Sequence, residues 1–197
     1  MKSLLFLAHL QAFLIPILIG IKSIKKFKQI RFPSLIPFAF ISLGFASMFE
    51  MFDHTNTDWI YVDHSSIYNW LFYSFLSIGL SFFIISVTKN KPIIICNILL
   101  IIAAIISYWF LGKTTTLLIQ VLISFLLISE WWSRFKDLVL FIYPITGVIL
   151  TSFFGILLSS SGEQIWHIFI GPSGTLSVLA FYAVLKRSRK REHIPSK

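Results

Sequence analysis

The chain has 197 residues, 56% of them hydrophobic and 13% charged, with a net charge of +9 and a mean hydropathy of +0.83. Soluble domains average roughly 45–50% apolar and about 25% charged residues, so this chain lacks the polar residues to cover a water-facing surface, and the bilayer is its solvent. The positive balance does not point to nucleic acid, because the basic residues are dealt into alternate loops between apolar runs, which is a topology signal.

A spanning helix needs about 20 mostly apolar residues. Apolar segments near 3–21, 34–52, 67–87, 92–112, 115–132, 137–159 and 165–185 predict an all-α integral membrane protein. The expected architecture is a single seven-helix transmembrane domain over 1–185, followed by a basic tail over 186–197. Helices are required because an open strand edge would leave backbone groups unpaired in lipid. The first segment has a single basic residue, Lys2, ahead of it, no A-x-A site behind it and a basic cluster after it, so it reads as a retained helix rather than a signal peptide. The fourth and fifth spans are joined around Gly112-Lys113, which demands a tight hairpin. Cys96 is the one cysteine and reads as a small buried hydrophobe.

Of the 17 Lys and Arg residues, all but Lys2 and Lys113 fall in the first, third and fifth loops or in the tail. The positive-inside rule then places the N-terminus outside and the C-terminal tail in the cytoplasm, which an odd number of spans requires. Pro16, Pro37, Pro144 and Pro172 lie inside spans and read as kinks whose freed carbonyls neighbouring helices re-satisfy. Gly171-Pro172-Ser173-Gly174 is the strongest break, consistent with either an opening toward a cavity or close packing at small residues.

The opposite end gathers Glu50, Asp53, His54, Asp63, His64, Glu163 and His167. Glu50/His54 and Glu163/His167 are both E-x-x-x-H pairs, which put two metal-capable groups on one helix face. Ionisable groups are costly in a membrane and are functional candidates by default. Asp53, Asp58 and His64 also read as solvated loop residues. Catalytic zinc takes three ligands from His, Glu or Asp and keeps a position for water, so His54, Glu163 and His167 form a candidate metal set. Asp63 and Glu50 are the candidate catalytic residues, taking the proton of a metal-activated water and passing it to a leaving group. His9 and Gln11 lie in the outer half of the first span. His9 is within reach of the site as a further ligand, but a helix–helix hydrogen bond is favoured. Gln120 and Asn97 are read in the same structural way, and Glu130, Trp131 and Trp132 as inner interface residues of an aromatic belt.

At these residues the chain resembles the alkaline ceramidases and the wider superfamily of seven-helix membrane hydrolases that includes the progestin and adiponectin receptors. Trp166, His167 and Gly171 are similar to a seventh-helix H-x-x-W-H-x-x-x-G motif. Phe52-Asp53-His54-Thr55 is similar to an F-H-x-T ending the second helix, and Val62-Asp63-His64-Ser65-Ser66-Ile67 to an L-D-Y-S-G-I opening the third. The resemblance implies zinc held by three histidines beside a Ser and an Asp, with His54 and His167 matching two ligands and Asp63 the Asp. Glu163 stands where the remaining His is expected and Glu50 where the Ser is expected. His-His-Glu is still a zinc set, and the added carboxylate would favour iron or manganese.

The expectation is therefore a membrane-embedded, metal-dependent hydrolase of a lipid amide or ester, ceramidase-like, with a membrane lipid as substrate. Its rivals are a proton-coupled transporter using the same Glu/His groups, a haem protein with His54 and His167 as axial ligands, and a non-catalytic seven-helix membrane protein.

Overall fold

The computed structural model describes residues 2–56, 66–149 and 167–192. Seven α-helices follow one another: α1 (Lys2–Ser23), α2 (Leu35–Asn56), α3 (Ile67–Val87), α4 (Lys91–Phe110), α5 (Lys113–Phe135), α6 (Ile142–Ile149) and α7 (His167–Glu192), with a 3-10 turn at Leu138–Phe141 leading into α6. Six of them are long and apolar enough to cross a membrane. The sixth predicted span, 137–159, is described only to Ile149, and its second half lies outside the described residues. The helix α7 continues through the basic residues from Lys186 to Glu192.

The helix order in space follows the chain. α1 packs beside α2 and α7, α2 beside α3, α3 beside α4 and α5, α4 beside α5, and α6 beside α7. Small residues allow the closest approaches. A Cβ on Gly44 would come within 2.9 Å of the Phe13 carbonyl on α1, and one on Gly79 within 3.0 Å of the Ala39 carbonyl on α2. This is how membrane helices gain dispersion contact without a hydrophobic driving force between them.

Aromatic side chains fill the centre of the basic half. Phe83 stacks against Phe40, Trp131 and Phe181 at centroid distances of 4.8, 5.2 and 5.1 Å. The Trp131 indole N–H donates to the Phe83 carbonyl at 3.0 Å. Trp131 is thus a core residue rather than part of an interfacial belt, because its polar N–H finds a partner inside the bundle. Trp132 matches the belt reading better, with the Lys136 ammonium 5.5 Å over its ring.

Peripheral α4 turns its polar stripe inward. Its buried residues are Asn97, Ala104, Ser107 and Tyr108, and Asn97 donates to the Ser81 carbonyl of α3 at 3.3 Å. Gln120 of α5 donates to the Tyr73 carbonyl and to Ser77 Oγ at 3.0 and 3.1 Å, the interhelical role expected of it. Cys96, beside Asn97 in sequence, faces outward; as a small apolar group it costs nothing against acyl chains, whereas Asn97 needs protein partners.

The two ends of the bundle differ as the charge pattern predicts. At the basic end Arg31 donates to the Thr88 carbonyl at 2.8 Å, Arg134 to the Gln29 carbonyl at 3.2 Å, and Arg187 pairs with Asp137 at 3.1 Å. These contacts join the first loop to the third loop and to the end of α5, and the fifth loop to α7. Two of the four prolines differ from expectation. Pro16 and Pro172 are inside α1 and α7, but Pro37 and Pro144 fall in the first turns of α2 and α6, where the missing N–H had no intrahelical acceptor to lose. The α4–α5 hairpin is as tight as expected, with Gly112 at φ +83° capping α5, a conformation that glycine adopts without a Cβ clash.

Candidate functional site

Because α1 and α2 are antiparallel neighbours, residues equally far from their connecting loop lie side by side. His9 on α1 and Glu50 on α2 are such a pair. His9 Nε2 lies 3.5 Å from Glu50 Oε2. His54, one turn beyond Glu50, packs its ring edge-on against His9 at a centroid distance of 5.0 Å and an interplanar angle of 67°. All three are buried, with exposures of 0% for His9, 6% for Glu50 and 0% for His54. Each offers one ligand-type atom, and these atoms lie within 4.8 Å of one another. The His9 Nδ1–H donates to the Leu5 carbonyl at 2.9 Å. That bond orients the ring and turns Nε2 toward the carboxylate.

Asp53 is neither a solvated loop residue nor part of this triad. It is 1% exposed and accepts hydrogen bonds from Ser66 Oγ and, at 3.5 Å, from Asn69 Nδ2. Ser66 is the N-cap of α3, its Oγ accepting from the Asn69 N–H at 3.0 Å. The Tyr108 hydroxyl donates to Asn69 Oδ1 at 3.0 Å. A helix N-terminus favours a nearby anion, so Asp53 is held where the first turn of α3 presents its donors, and the network joins α2, α3 and α4.

Below the triad, toward the middle of the bundle, lies a cavity of about 190 Å3. Its lining comes from α1, α2, α3, α6 and α7 and is mostly apolar. Among the described residues, Glu50 is the one acidic side chain in that lining. The hydroxyls of Thr146 and Ser177 are 3.1 Å apart, Ser177 donates to the Ser173 carbonyl at 3.0 Å, and the Tyr143 hydroxyl is 2.6 Å from Ser124 Oγ. These groups are therefore already engaged at the cavity wall.

The Gly171–Gly174 stretch does not break α7, which is helical throughout His167–Glu192, but its two glycines differ in surroundings. A Cβ on Gly171 would lie 2.3 Å from the Ala8 carbonyl oxygen, so this residue lets α7 close onto α1. Gly174 lines the cavity, and a Cβ there would meet nothing within 4 Å. Close packing and open space are thus one turn apart on the same helix.

Of the predicted site residues, Glu50 and His54 are brought together. The predicted metal set His54, Glu163 and His167 is not described as a unit. Glu163, Asp63 and His64 lie outside the described residues, and His167 is the first residue of α7, three before Ile170 of the cavity wall. His9, read from the sequence mainly as a structural residue, is the group that meets Glu50. The signal was present: His9 precedes the end of α1 by as many residues, to within one, as separate Glu50 from the start of α2.

Six membrane-length apolar helices, a seventh shorter one and a buried polar cluster at one end define a multi-pass integral membrane protein. A family model described as seven transmembrane receptor matches residues 1–191, and the chain belongs to that family. No curated protein and no solved structure matches the chain. The family match overturns the resemblance to the ceramidases and the progestin and adiponectin receptor superfamily. The stretches that carried it are short, and Val62–Ser65 and Trp166 lie outside the described residues.

Proposed function

We propose that this chain is a non-catalytic, receptor-like membrane protein that takes a small, largely apolar ligand into its interhelical cavity, with the ligand's polar head against Glu50. The observation that carries the reading is the cavity itself, a largely apolar space of about 190 Å3 with the Glu50 carboxylate at its polar end. Binding sites combine a mainly hydrophobic wall with a few placed polar groups that fix orientation. A dry cavity of about 150 Å3 is enough to take up benzene, so the space suits one ring or a short acyl segment. Metal-dependent hydrolysis of a lipid, as expected from the sequence, rested on the polar cluster together with the ceramidase resemblance that the family match overturns, and the non-catalytic alternative accords with a receptor family.

The proposed orientation has the polar end outside and the basic end in the cytoplasm. It is supported by the collection of Arg31, Arg134 and Arg187 at one end of the bundle and by the positive-inside rule. The cavity would then be reached from the outer half of the membrane.

The test compares the lipophilic small molecules that copurify with the full chain in mild detergent, by mass spectrometry, between the wild type and Gly174→Leu. Among the described residues a Cβ at Gly174 meets nothing within 4 Å, and Gly174 lines the cavity, so leucine is the substitution chosen to fill it. A compound present near stoichiometry with the wild type and lost from the variant supports the reading. Identical extracts, with the variant more stable, would mark the cavity as a packing defect and end it.

A further inference from the structure

We propose that His9, Glu50 and His54 together bind a divalent transition-metal ion of the zinc type. The set has the chemistry such an ion selects, two imidazole nitrogens and one carboxylate oxygen, and its ligand atoms converge to within 4.8 Å in a buried space.

The spacing leaves room for a metal between the two groups. A charge-assisted hydrogen bond between imidazole and carboxylate closes to about 2.7–2.9 Å. The His9 Nε2 to Glu50 Oε2 distance is 3.5 Å, and Nε2 makes no hydrogen bond among the described residues. Ligands at about 2.0–2.1 Å from a tetrahedral zinc ion are about 3.4 Å apart along each edge. The His9–Glu50 edge already has that length, and His54 needs a side-chain rotation on the order of 1 Å to complete the face.

The orientation of His9 supports the same conclusion. A carbonyl can only accept, so Nδ1 carries the proton given to Leu5, and in the neutral ring Nε2 carries the lone pair. Metal-ligating histidines characteristically donate their other ring N–H to a carbonyl or carboxylate, which fixes the tautomer and the direction of the lone pair. A lone pair and a carboxylate facing each other in a buried site are stabilised by a positive centre between them, which a bound cation supplies.

Three protein ligands leave a coordination position for an exchangeable group. Glu50 borders the cavity, so that position adjoins the space in which, on the reading above, the ligand's polar head lies. The ion would thus favour a head bearing an oxygen or nitrogen donor. This last clause rests on the ligand-binding reading; the metal site does not.

The test uses the full chain purified in chelator-free detergent, with zinc content measured by elemental analysis and cobalt(II) added alone as a coloured reporter of coordination geometry. The expected result is near-stoichiometric zinc in the wild type, and cobalt with a four-coordinate visible spectrum. His9→Ala, Glu50→Gln and His54→Ala should each weaken zinc at least about 100-fold, since loss of a mere outer-shell partner already costs 10–100-fold. His9→Cys, which swaps one zinc ligand for another, should retain zinc and so separate loss of a ligand from loss of the fold. His193→Ala and the cavity-filling Gly174→Leu should leave zinc unchanged, so a failed ligand experiment does not imply a failed metal site. Absence of zinc and cobalt binding in the wild type overturns the proposal. So does zinc that survives His9→Ala, which would move the site to other residues.

Discussion

His9 of α1 and Glu50 of α2 face each other across the first helix pair with Nε2 3.5 Å from Oε2, both side chains buried. Each is held by its own helix at the same depth, and the closely packed Gly44 on the same pair fixes the separation of the two backbones. An ionisable pair at this depth would be expensive if either member stood alone.

The two side chains should therefore be energetically coupled. A double-mutant cycle with His9→Ala and Glu50→Ala, read by equilibrium unfolding in mixed micelles, should give a coupling of about 1–2 kcal/mol, within the range seen for contacting residues and interhelical polar pairs. Strictly additive losses would mean that the contact is not made.

Gly171 and Gly174 should respond oppositely to the same substitution. Gly171→Ala places a Cβ 2.3 Å from the Ala8 carbonyl oxygen, so α7 must move off α1, at a cost of about 1–3 kcal/mol. Gly174→Ala meets nothing within 4 Å and should stabilise by up to about 1 kcal/mol through helix propensity. Thermal unfolding in detergent separates the two, and equal shifts would contradict the packing described.

The α3 cap ties Asp53 to the polar end. Ser66→Ala removes both the acceptor for the Asn69 N–H and the donor to Asp53, and should destabilise by about 1 kcal/mol or more. Ser66→Thr keeps the hydroxyl and should be close to neutral. If alanine and threonine behave alike, the hydroxyl is not the capping group.

Orientation is tested independently of stability. An epitope added before residue 1 should be accessible from outside intact cells, and one added after residue 197 only after the membrane is opened. The reverse pattern would put Glu50 and the cavity mouth on the cytoplasmic side and contradict the charge reading.

Much of the architecture was legible in the sequence because membrane helices are specified by run length and composition. The first five spans are found within a few residues, α7 runs on past the predicted end at 185 to Glu192, the sixth span lies partly outside the described residues, and the alternation of basic loops separates the two ends of the bundle. Gln120 and Asn97 were assigned correctly because an amide in lipid has few alternatives to a neighbouring helix. The site was less legible because it depends on which helices are neighbours. Periodicity pairs Glu50 with His54 on one helix, but only the α1–α2 packing brings His9 to them. For Asp53 a solvated loop position stood beside a place in the polar cluster, because its hydrogen-bond donors, Ser66 and Asn69, belong to another helix. Cys96 was read as buried because it falls inside an apolar run; the inward stripe of α4 is set by Asn97, Ser107 and Tyr108.

The most direct measurement of the central claim is an experimental density map of the wild-type chain crystallised from a lipid phase. The account predicts non-protein density in the cavity between α1, α2, α3, α6 and α7, with its polar end at Glu50. A cavity that is closed by side chains, or open and free of ordered density in a well-resolved map, would contradict it.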